Sequence, residues 1–374
     1  MTRYQLPDTA DLIRLGEPHA HAITVYAQTS PAPDQRENNF LTAKSAVDRA
    51  LRGIRDRGTR HAVEQQLRDR WTEIAESDLW LRLSRSLAIF IADDFHEVFV
   101  LPNRLENQSQ MGAYFDIGQL VRAVMTPQEA YALTLSANGW NLWRATAAAR
   151  AEEMPLVGEY ATDVAEATNR ATVRDRDHVG RLVGDEGKKV LLETYAKRVA
   201  DAVNSELGHV DPSATRPLFV FAADPLLEMY LGLDHKRQTV AVRGGSDTLR
   251  PDQIDDAIRA SLSTINARRI NTLVDDIGDG VARGLVATDI ADIGKAAISG
   301  AVSTLVYDFT VDILGRLNAA NGRVTYDDSG YDLLSRIAIT VLDKGGEVIA
   351  VRPEEVNATI WNGTAVAGLR FALT

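Results

Sequence analysis

The stretch RDRDHVGRLVGDEGKKVLLETYAKRVADAV, from Arg174 to Val203, joins a charged, glycine-spaced segment to an amphipathic helix. Apolar residues recur about one helical turn apart in its second half, as on a single helix face. These positions are Val190, Leu191, Tyr195, Val199 and Val203. A strand (PLFVFAAD), a helix (PLLEMYLGL) and a second strand (QTVAVRGG) follow in order. Because strands that alternate with helices build layered sheets, this part of the chain predicts an α/β fold.

The same alternation extends in both directions and predicts three α/β domains, at 1–127, 128–250 and 251–374. Residues 40–76 have the periodicity of two helices that form a hairpin, and a β-hairpin follows at 87–102. Later in the chain, a long helix is expected to begin at Pro251, because proline suits the first turn of a helix. The third domain is predicted to be an α/β/α sandwich.

A second β-hairpin is predicted around the dipeptide Asn138-Gly139. Asparagine and glycine tolerate the positive φ angles of a type I′ turn, so we expect that turn here. Trp140 and Trp143 are three residues apart, so on a strand they point to opposite faces. At least one of them is therefore expected in the core.

Composition excludes several classes of function. The chain has 374 residues, 45% hydrophobic and 25% charged, as in ordinary soluble proteins. It has no cysteine, which excludes disulfides, thiolate metal sites and cysteine nucleophiles. No run of apolar residues is long enough for a membrane span, and the first residues do not resemble a signal peptide, so we expect a cytoplasmic protein without membrane contact. No cofactor and no metal are predicted, and we expect no binding to DNA.

Two arginine-rich segments stand out, because the formal net charge of the whole chain is -11. Contact with nucleic acid would have to come from such local basic patches. One segment is the tip of the helical hairpin and the other precedes the helix of the opening stretch. The candidate RNA-binding residues are Arg52, Arg55, Arg57, Arg60, Arg174, Arg176, Arg181, Lys188 and Lys189.

The second segment does not match a phosphate-binding P-loop. Counting back from Gly187 and Lys188 places Leu182 where the first glycine belongs, and Lys189 stands where a serine or threonine would bind Mg²⁺. A loop that merely begins a helix and a loop that contacts a macromolecule both remain open. Elsewhere, a strand-to-helix turn explains the Gly-Gly pair at 244–245, and His19 and His21 lack a third metal ligand nearby.

The order of elements resembles the archaeo-eukaryotic class-I release factor and Pelota superfamily, in particular its bacterial homologues. The resemblance covers nearly the whole chain. The resemblance to the family's N-terminal domain lies in LAIFIADDFHEVFVLP and AYFDIGQLVRAVM. The resemblance to its middle domain lies in YALTLSANGWNLWRAT and KKVLLETYAKRVADAVNSEL. VATDIADIGKAAISGAVSTLVYDF and IAITVLDKGGEVIAV resemble the C-terminal domain, which is related to kink-turn-binding ribosomal proteins.

The chain departs from that family at its functional motifs. In release factors the loop before the long middle-domain helix carries Gly-Gly-Gln, but the segment from Asp175 to Lys189 has neither the glycine pair nor a glutamine. The hairpin tip reads RDRGTRH where the family has Asn-Ile-Lys-Ser. The resemblance thus implies a tRNA-like factor without peptidyl-tRNA hydrolysis, and we expect no enzymatic activity.

Three hypotheses follow from the resemblance and the residues. The first is a non-catalytic rescue or hibernation factor that binds rRNA in the ribosomal A site, with a translational GTPase as a further partner. The second is an enzyme that uses the segment from Asp175 to Lys189 against a phosphorylated substrate. The third is an RNA-binding or protein-interaction adaptor that acts off the ribosome.

Overall fold

The computed structural model describes residues 1–126, 128–146, 150–168, 185–247 and 249–373. It confirms the α/β class, with four sheets and their helices. Two compact units are formed, one by Met1–Pro127 with Ser263–Thr374 (the first unit) and one by Gln128–Leu262 (the middle unit). The division into three domains stays a prediction. Within the described ranges, every helix is too short or too polar to span a lipid bilayer.

The N-terminal part of the first unit is a five-stranded sheet in the order β1-β4-β3-β2-β5. Only β1 and β4 are parallel neighbours. The elements are β1 (Thr2–Arg3), α1 (Thr9–Leu15), β2 (Ala22–Gln28), α2 (Arg36–Asp56), α3 (His61–Ala75), β3 (Ser86–Ala92), β4 (His96–Leu101), β5 (Gln108–Gly112) and α4 (Gly118–Met125).

Helices α2 and α3 cover one face of this sheet and confirm the predicted helical hairpin. Ala43, Val47, Leu51 and Ile54 form one buried stripe on α2, as the periodicity predicts. They pack with Leu67 and neighbouring residues of α3 against the β-strands. The hairpin is thus held by apolar burial along its length, while its tip lies outside the core.

The middle unit has a mixed five-stranded sheet in the order β10-β9-β6-β7-β8. Strands β10, β9 and β6 are parallel, and β7 and β8 are antiparallel to their neighbours. The elements are β6 (Ala130–Ser136), β7 (Gly139–Ala145), β8 (Glu152–Glu153), α5 (Val164–Thr168), α6 (Asp185–Val210), β9 (Leu218–Ala222), α7 (Leu226–Leu231), β10 (Thr239–Arg243) and α8 (Pro251–Gly278).

The predicted turn of the β6–β7 hairpin is wrong by one residue. Ser136 pairs with Gly139, so Ala137 and Asn138 form the loop, and neither has the positive φ of a type I′ turn. The side chains instead stabilise this loop, because the Ser136 hydroxyl accepts a hydrogen bond from the Asn138 N–H at 3.1 Å. The tryptophan prediction is confirmed, since Trp140 lies in the core with α6 and Trp143 is also buried.

The long predicted helix is confirmed as α8, which runs from the middle unit into the first unit. The remaining elements form a four-stranded sheet, β11-β17-β12-β16, and a small antiparallel sheet, β14-β13-β15. They are β11 (Val286–Ala287), α9 (Ile290–Ile298), β12 (Val302–Asp308), β13 (Leu314–Leu317), β14 (Val324–Tyr326), β15 (Tyr331–Asp332), α10 (Leu333–Asp343), β16 (Glu347–Val351) and β17 (Ala365–Leu369).

One continuous hydrophobic core joins the two parts of the first unit. It contains residues of α1, β2 to β4 and α4 together with residues of α9, β12, α10 and β17. At its margin Arg122 of α4 forms an ion pair with Glu355, and its guanidinium lies 5.5 Å from the centre of the Phe309 ring. These contacts bring residues of the N-terminal part of the first unit beside residues of its C-terminal part.

Candidate nucleic-acid interface

The tip of the α2–α3 hairpin is a short turn at residues 57–60. Helix α2 ends here, and the Gly58 N–H donates to the Arg55 carbonyl at 2.9 Å. Gly58 has a φ of 80°, in the left-handed region that favours glycine. An added Cβ would meet nothing within 4 Å, so the requirement for glycine is conformational and not steric. The turn leaves the ends of both helices open to solvent.

All four arginines predicted in this segment are exposed at the tip. They are Arg52, Arg55, Arg57 and Arg60. Residues 49–61 contain five arginines and one aspartate, so the tip is locally cationic on a chain whose net charge is -11. Such a local field attracts phosphate groups even when the protein as a whole is acidic.

A nearly buried carboxylate, Glu64, organises one side of the tip. Its side chain is 5% exposed. Arg55 donates two hydrogen bonds to it, the one from Nε at 2.9 Å, and Arg68 donates a third at 2.9 Å. The hydrogen bonds from Arg55 and then from Arg68 lower the pKa of Glu64 to about 2. Arg55 is therefore partly neutralised by a partner that the sequence analysis did not single out.

A sequence signal for Glu64 does exist. Glu64 and Arg68 are separated by four residues on α3, with the acid on the N-terminal side, which is the favourable order for a helical ion pair. The contact from Arg55 crosses the hairpin and depends on the angle between its helices. The sequence shows the first pair, and only the fold shows the second.

Three of the tip arginines remain available for a ligand. Within the part of the chain that the structure describes, the side chains of Arg52, Arg57 and Arg60 form no hydrogen bond or ion pair. A guanidinium offers five N–H donors in a planar fork that matches the oxygens of a phosphate. These three side chains are therefore the best-placed phosphate ligands on the hairpin.

The second predicted basic segment is described only at its end. Arg174, Arg176 and Arg181 lie outside the described residues. Lys188 belongs to the first turns of α6, and its side chain is likewise outside the description. The Lys189 side chain is 66% exposed, and its Nζ lies 3.9 Å from Glu193 Oε1. Of this segment, only Lys189 can thus be assigned to an exposed position.

Helix α6 is firmly attached to the middle unit beyond that point. Tyr195, Val199 and Val203 are buried, as the periodicity predicts, but the prediction is wrong for Val190, which is 59% exposed near the start of the helix. Glu206, 4% exposed, accepts hydrogen bonds from the N–H groups of Val157 at 3.0 Å and Gly158 at 2.9 Å. Burial alone would raise the pKa of Glu206, but the bonds from Gly158 and Val157 outweigh it and the pKa is lowered. The chain that leads into the basic segment is therefore tied to α6 by a charged hydrogen-bond acceptor.

Other residues considered from the sequence have structural roles. His21 Nδ1 lies 3.2 Å from Asp93 Oδ2, and the His19 ring packs against Phe115 with centroids 4.7 Å apart. Among the described residues, no group of three or more histidine or carboxylate side chains could hold a metal ion. Asp247, close to the predicted Gly-Gly turn, accepts a hydrogen bond from the Asn138 amide at 3.1 Å.

The middle part of the chain is similar to a known family. Residues 127–268 match the sequence model described as bacterial archaeo-eukaryotic release factor family 11. The matched range begins where the N-terminal part of the first unit ends, and it includes the basic segment and α6. The match confirms the predicted resemblance over this range. No curated protein sequence gives a significant match.

Solved structures of release-factor-like proteins align over most of the chain at low identity. An archaeal Pelota, in a model of ribosome-bound Pelota and ABCE1, is 12% identical, with a TM-score of 0.39 over 100% of this chain and 96% of that one. The archaeal translation termination factor aRF1 is 13% identical, with a TM-score of 0.25 over 99% and 100%. Dom34 of S. cerevisiae is 11% identical, with a TM-score of 0.35 over 76% and 74%.

Proposed function

We propose, from the similarity of residues 127–268 to bacterial archaeo-eukaryotic release factors, that this protein is a non-catalytic translation factor that binds the ribosome. Binding is to rRNA in the A site, in a rescue or hibernation role. The observation that carries the proposal is the cationic hairpin tip, where three arginines have no side-chain partner among the described residues, because phosphate contacts supply most of the affinity for RNA. A translational GTPase is a further candidate partner on the family resemblance alone.

The sequence supports the absence of peptide-release chemistry. Gly-Gly-Gln does not occur in the chain, and its two Gly-Gly pairs are followed by Ser246 and Glu347. A release mechanism needs a group that positions water against the ester, and the family glutamine is missing. We therefore expect ribosome-bound peptidyl-tRNA to remain intact when the protein is added at saturating concentration.

Co-sedimentation with ribosomes tests the proposal. The wild-type protein should enter the ribosomal fractions at low salt, and the triple variant Arg52→Glu, Arg57→Glu, Arg60→Glu should stay at the top of the gradient. A matched control replaces three exposed arginines away from the tip, which also lack side-chain partners among the described residues. The control residues are Arg104, Arg283 and Arg323.

The control changes the net charge by the same amount, so it separates a local contact from a general charge effect. Equal loss of binding in both variants would assign the effect to net charge and remove the tip from the interface. A wild-type protein that stays unbound in extracts of growing and of starved cells would instead favour the adaptor hypothesis. Peptide release above background would favour an enzyme.

A further inference from the structure

A cleft of about 780 Å³ opens within the first unit. Its size is in the range of small-molecule sites. Four parts of the chain line it: Ala20 and His21 just before β2, the hairpin tip, strand β5 with the residues after it, and the small sheet β13–β15 with its neighbouring residues. The turn after β14 packs directly on β13, because a Cβ at Gly330 would lie 2.3 Å from the Gly315 carbonyl oxygen. That close approach holds Asp328 and Ser329 at the cleft wall.

The polar groups of the cleft that lack partners fall into two sets. Among the cleft residues that the structure describes, Arg57 from the hairpin tip is the arginine without an ion-pair partner, whereas Arg316 is paired with Asp327. The same cleft also holds two carboxylates as acceptors. In the described structure Asp312 and Asp328 form no side-chain hydrogen bond or ion pair. The cleft therefore fits a ligand that carries one anionic group and several N–H donors.

Aromatic rings add a second requirement. Tyr114 and Tyr331 both line the cleft, with ring centroids 4.7 Å apart in an edge-to-face arrangement. The Arg336 guanidinium lies 5.0 Å from the centre of the Tyr114 ring and fixes that ring from one side. Partly exposed tyrosine rings of this kind stack on planar heterocycles. A ligand with a flat ring between its anionic group and its N–H donors would therefore match the arginine, the acceptors and the tyrosine rings of the cleft.

We propose that this cleft binds a guanine nucleotide, with its phosphate on Arg57, its base against Tyr114 and Tyr331, and its N–H groups directed to Asp312 and Asp328. Guanine is the base that presents three N–H hydrogens side by side, at N1 and at the 2-amino group. Adenine and cytosine present only the two hydrogens of their exocyclic amines, and uracil presents one. Because the further phosphates of a 5′-di- or triphosphate would lie beside these carboxylates, the cleft favours a nucleotide with one phosphate.

The nucleotide can be free or an unstacked residue of an RNA chain, because both present the same phosphate, ring and donors. The inference does not rest on ribosome binding. Isothermal titration of the full-length protein with GMP, AMP, CMP and UMP measures it directly. GMP should bind at least about tenfold more tightly than AMP. A carboxylate can accept two N–H hydrogen bonds from guanine that adenine cannot donate, and such a pair of bonds discriminates between bases by about this factor.

Two variants separate the parts of the site. Arg57→Ala should weaken GMP about tenfold and leave guanosine, which has no phosphate, unchanged. Asp328→Asn should reduce the preference for GMP over AMP. Arg104→Ala is the matched control, because Arg104 is an exposed arginine of the first unit that does not line the cleft. It should bind GMP as the wild type does, and circular dichroism confirms the fold of each variant.

Short single-stranded RNAs with one central guanine or adenine distinguish the two sources. Competition between GMP and the guanine oligonucleotide shows a site for an RNA residue, and binding of GMP alone shows a site for the free nucleotide. The proposal is overturned if no nucleotide binds at millimolar concentration. Equal affinity for the four bases, or an equal effect of Arg57→Ala on GMP and guanosine, also overturns it. Ribosome co-sedimentation of Asp328→Asn is independent of these results, because Asp328 is not among the proposed ribosome-binding residues.

Discussion

Replacing Asp116 with asparagine should stabilise the first unit relative to the wild type as the pH rises from 5 to 8. Asp116 is 7% exposed. Its Oδ1 accepts from the Gly118 N–H at 3.0 Å and its Oδ2 from Gln108 at 2.6 Å. Burial, together with the nearby Asp332 and Asp312 and against the lowering effect of the Gly118 bond, raises the pKa of Asp116 to about 7. The carboxyl group therefore holds its proton in the native state at pH 5.

The size of the effect follows from the difference between the two pKa values. The pKa of Asp116 rises from its ordinary 3.8 to about 7 on folding. Between these values the native state holds a proton that the unfolded state has lost, so the free energy of unfolding falls as the pH rises. At ~1.4 kcal/mol per pH unit, the free energy of unfolding of the wild type falls by about 4 kcal/mol in total between about pH 4 and pH 8. The asparagine variant lacks this titration.

Urea unfolding followed by tryptophan emission measures the effect. A Trp140→Phe, Trp143→Phe background leaves Trp71, Trp80 and Trp361, all in the first unit. The asparagine amide cannot accept the bond from Gln108, which adds a cost that does not depend on pH. The difference in free energy between variant and wild type should therefore shift by about 3 kcal/mol between pH 5 and pH 8, because the wild type loses ~1.4 kcal/mol per pH unit only from pH 5 to about pH 7 in this range. A difference that stays constant across this range would refute the burial argument.

Two further predictions concern charged pairs. Glu64→Gln should release Arg55 to contact phosphate. The slope of log affinity against log salt concentration for RNA binding, measured by filter binding, should then become steeper by about 0.7 to 0.9. A shallower slope than that of the wild type would contradict the assignment. Asp211→Asn should destabilise the middle unit by about 3 kcal/mol in urea, because Arg237, 5% exposed, loses its partner at 2.8 Å. Burial would raise the pKa of Asp211, but the bond from Arg237 prevails and lowers it to about 2. The contribution of this pair to the free energy of unfolding is therefore present above about pH 4 and is lost as the pH falls towards 2. Equal free energies of unfolding for the variant and the wild type at pH 7 would contradict this role of Asp211.

The long elements were predictable from the sequence because their apolar spacing repeats over many residues. The buried stripes of α2 and α6 and the length of α8 agree with their periodicity. The short strands β13, β14 and β15 were not predicted, because two to four residues are too few to show alternation. The turn after Ser136 differs from its prediction because local side-chain hydrogen bonds replaced the expected backbone geometry.

By itself, the sequence determined the α/β class, the helical hairpin and the family resemblance of the middle region, since these depend on patterns along the chain. Only the tertiary structure decided which charged groups are available. It paired Arg55 with Glu64 and left Arg57 free. It also placed Asp116 near Asp332, where burial and like charge raise its pKa. The physical reason is that solvation and electrostatic energy depend on distance in space, and residues far apart in the sequence become neighbours only when the core forms.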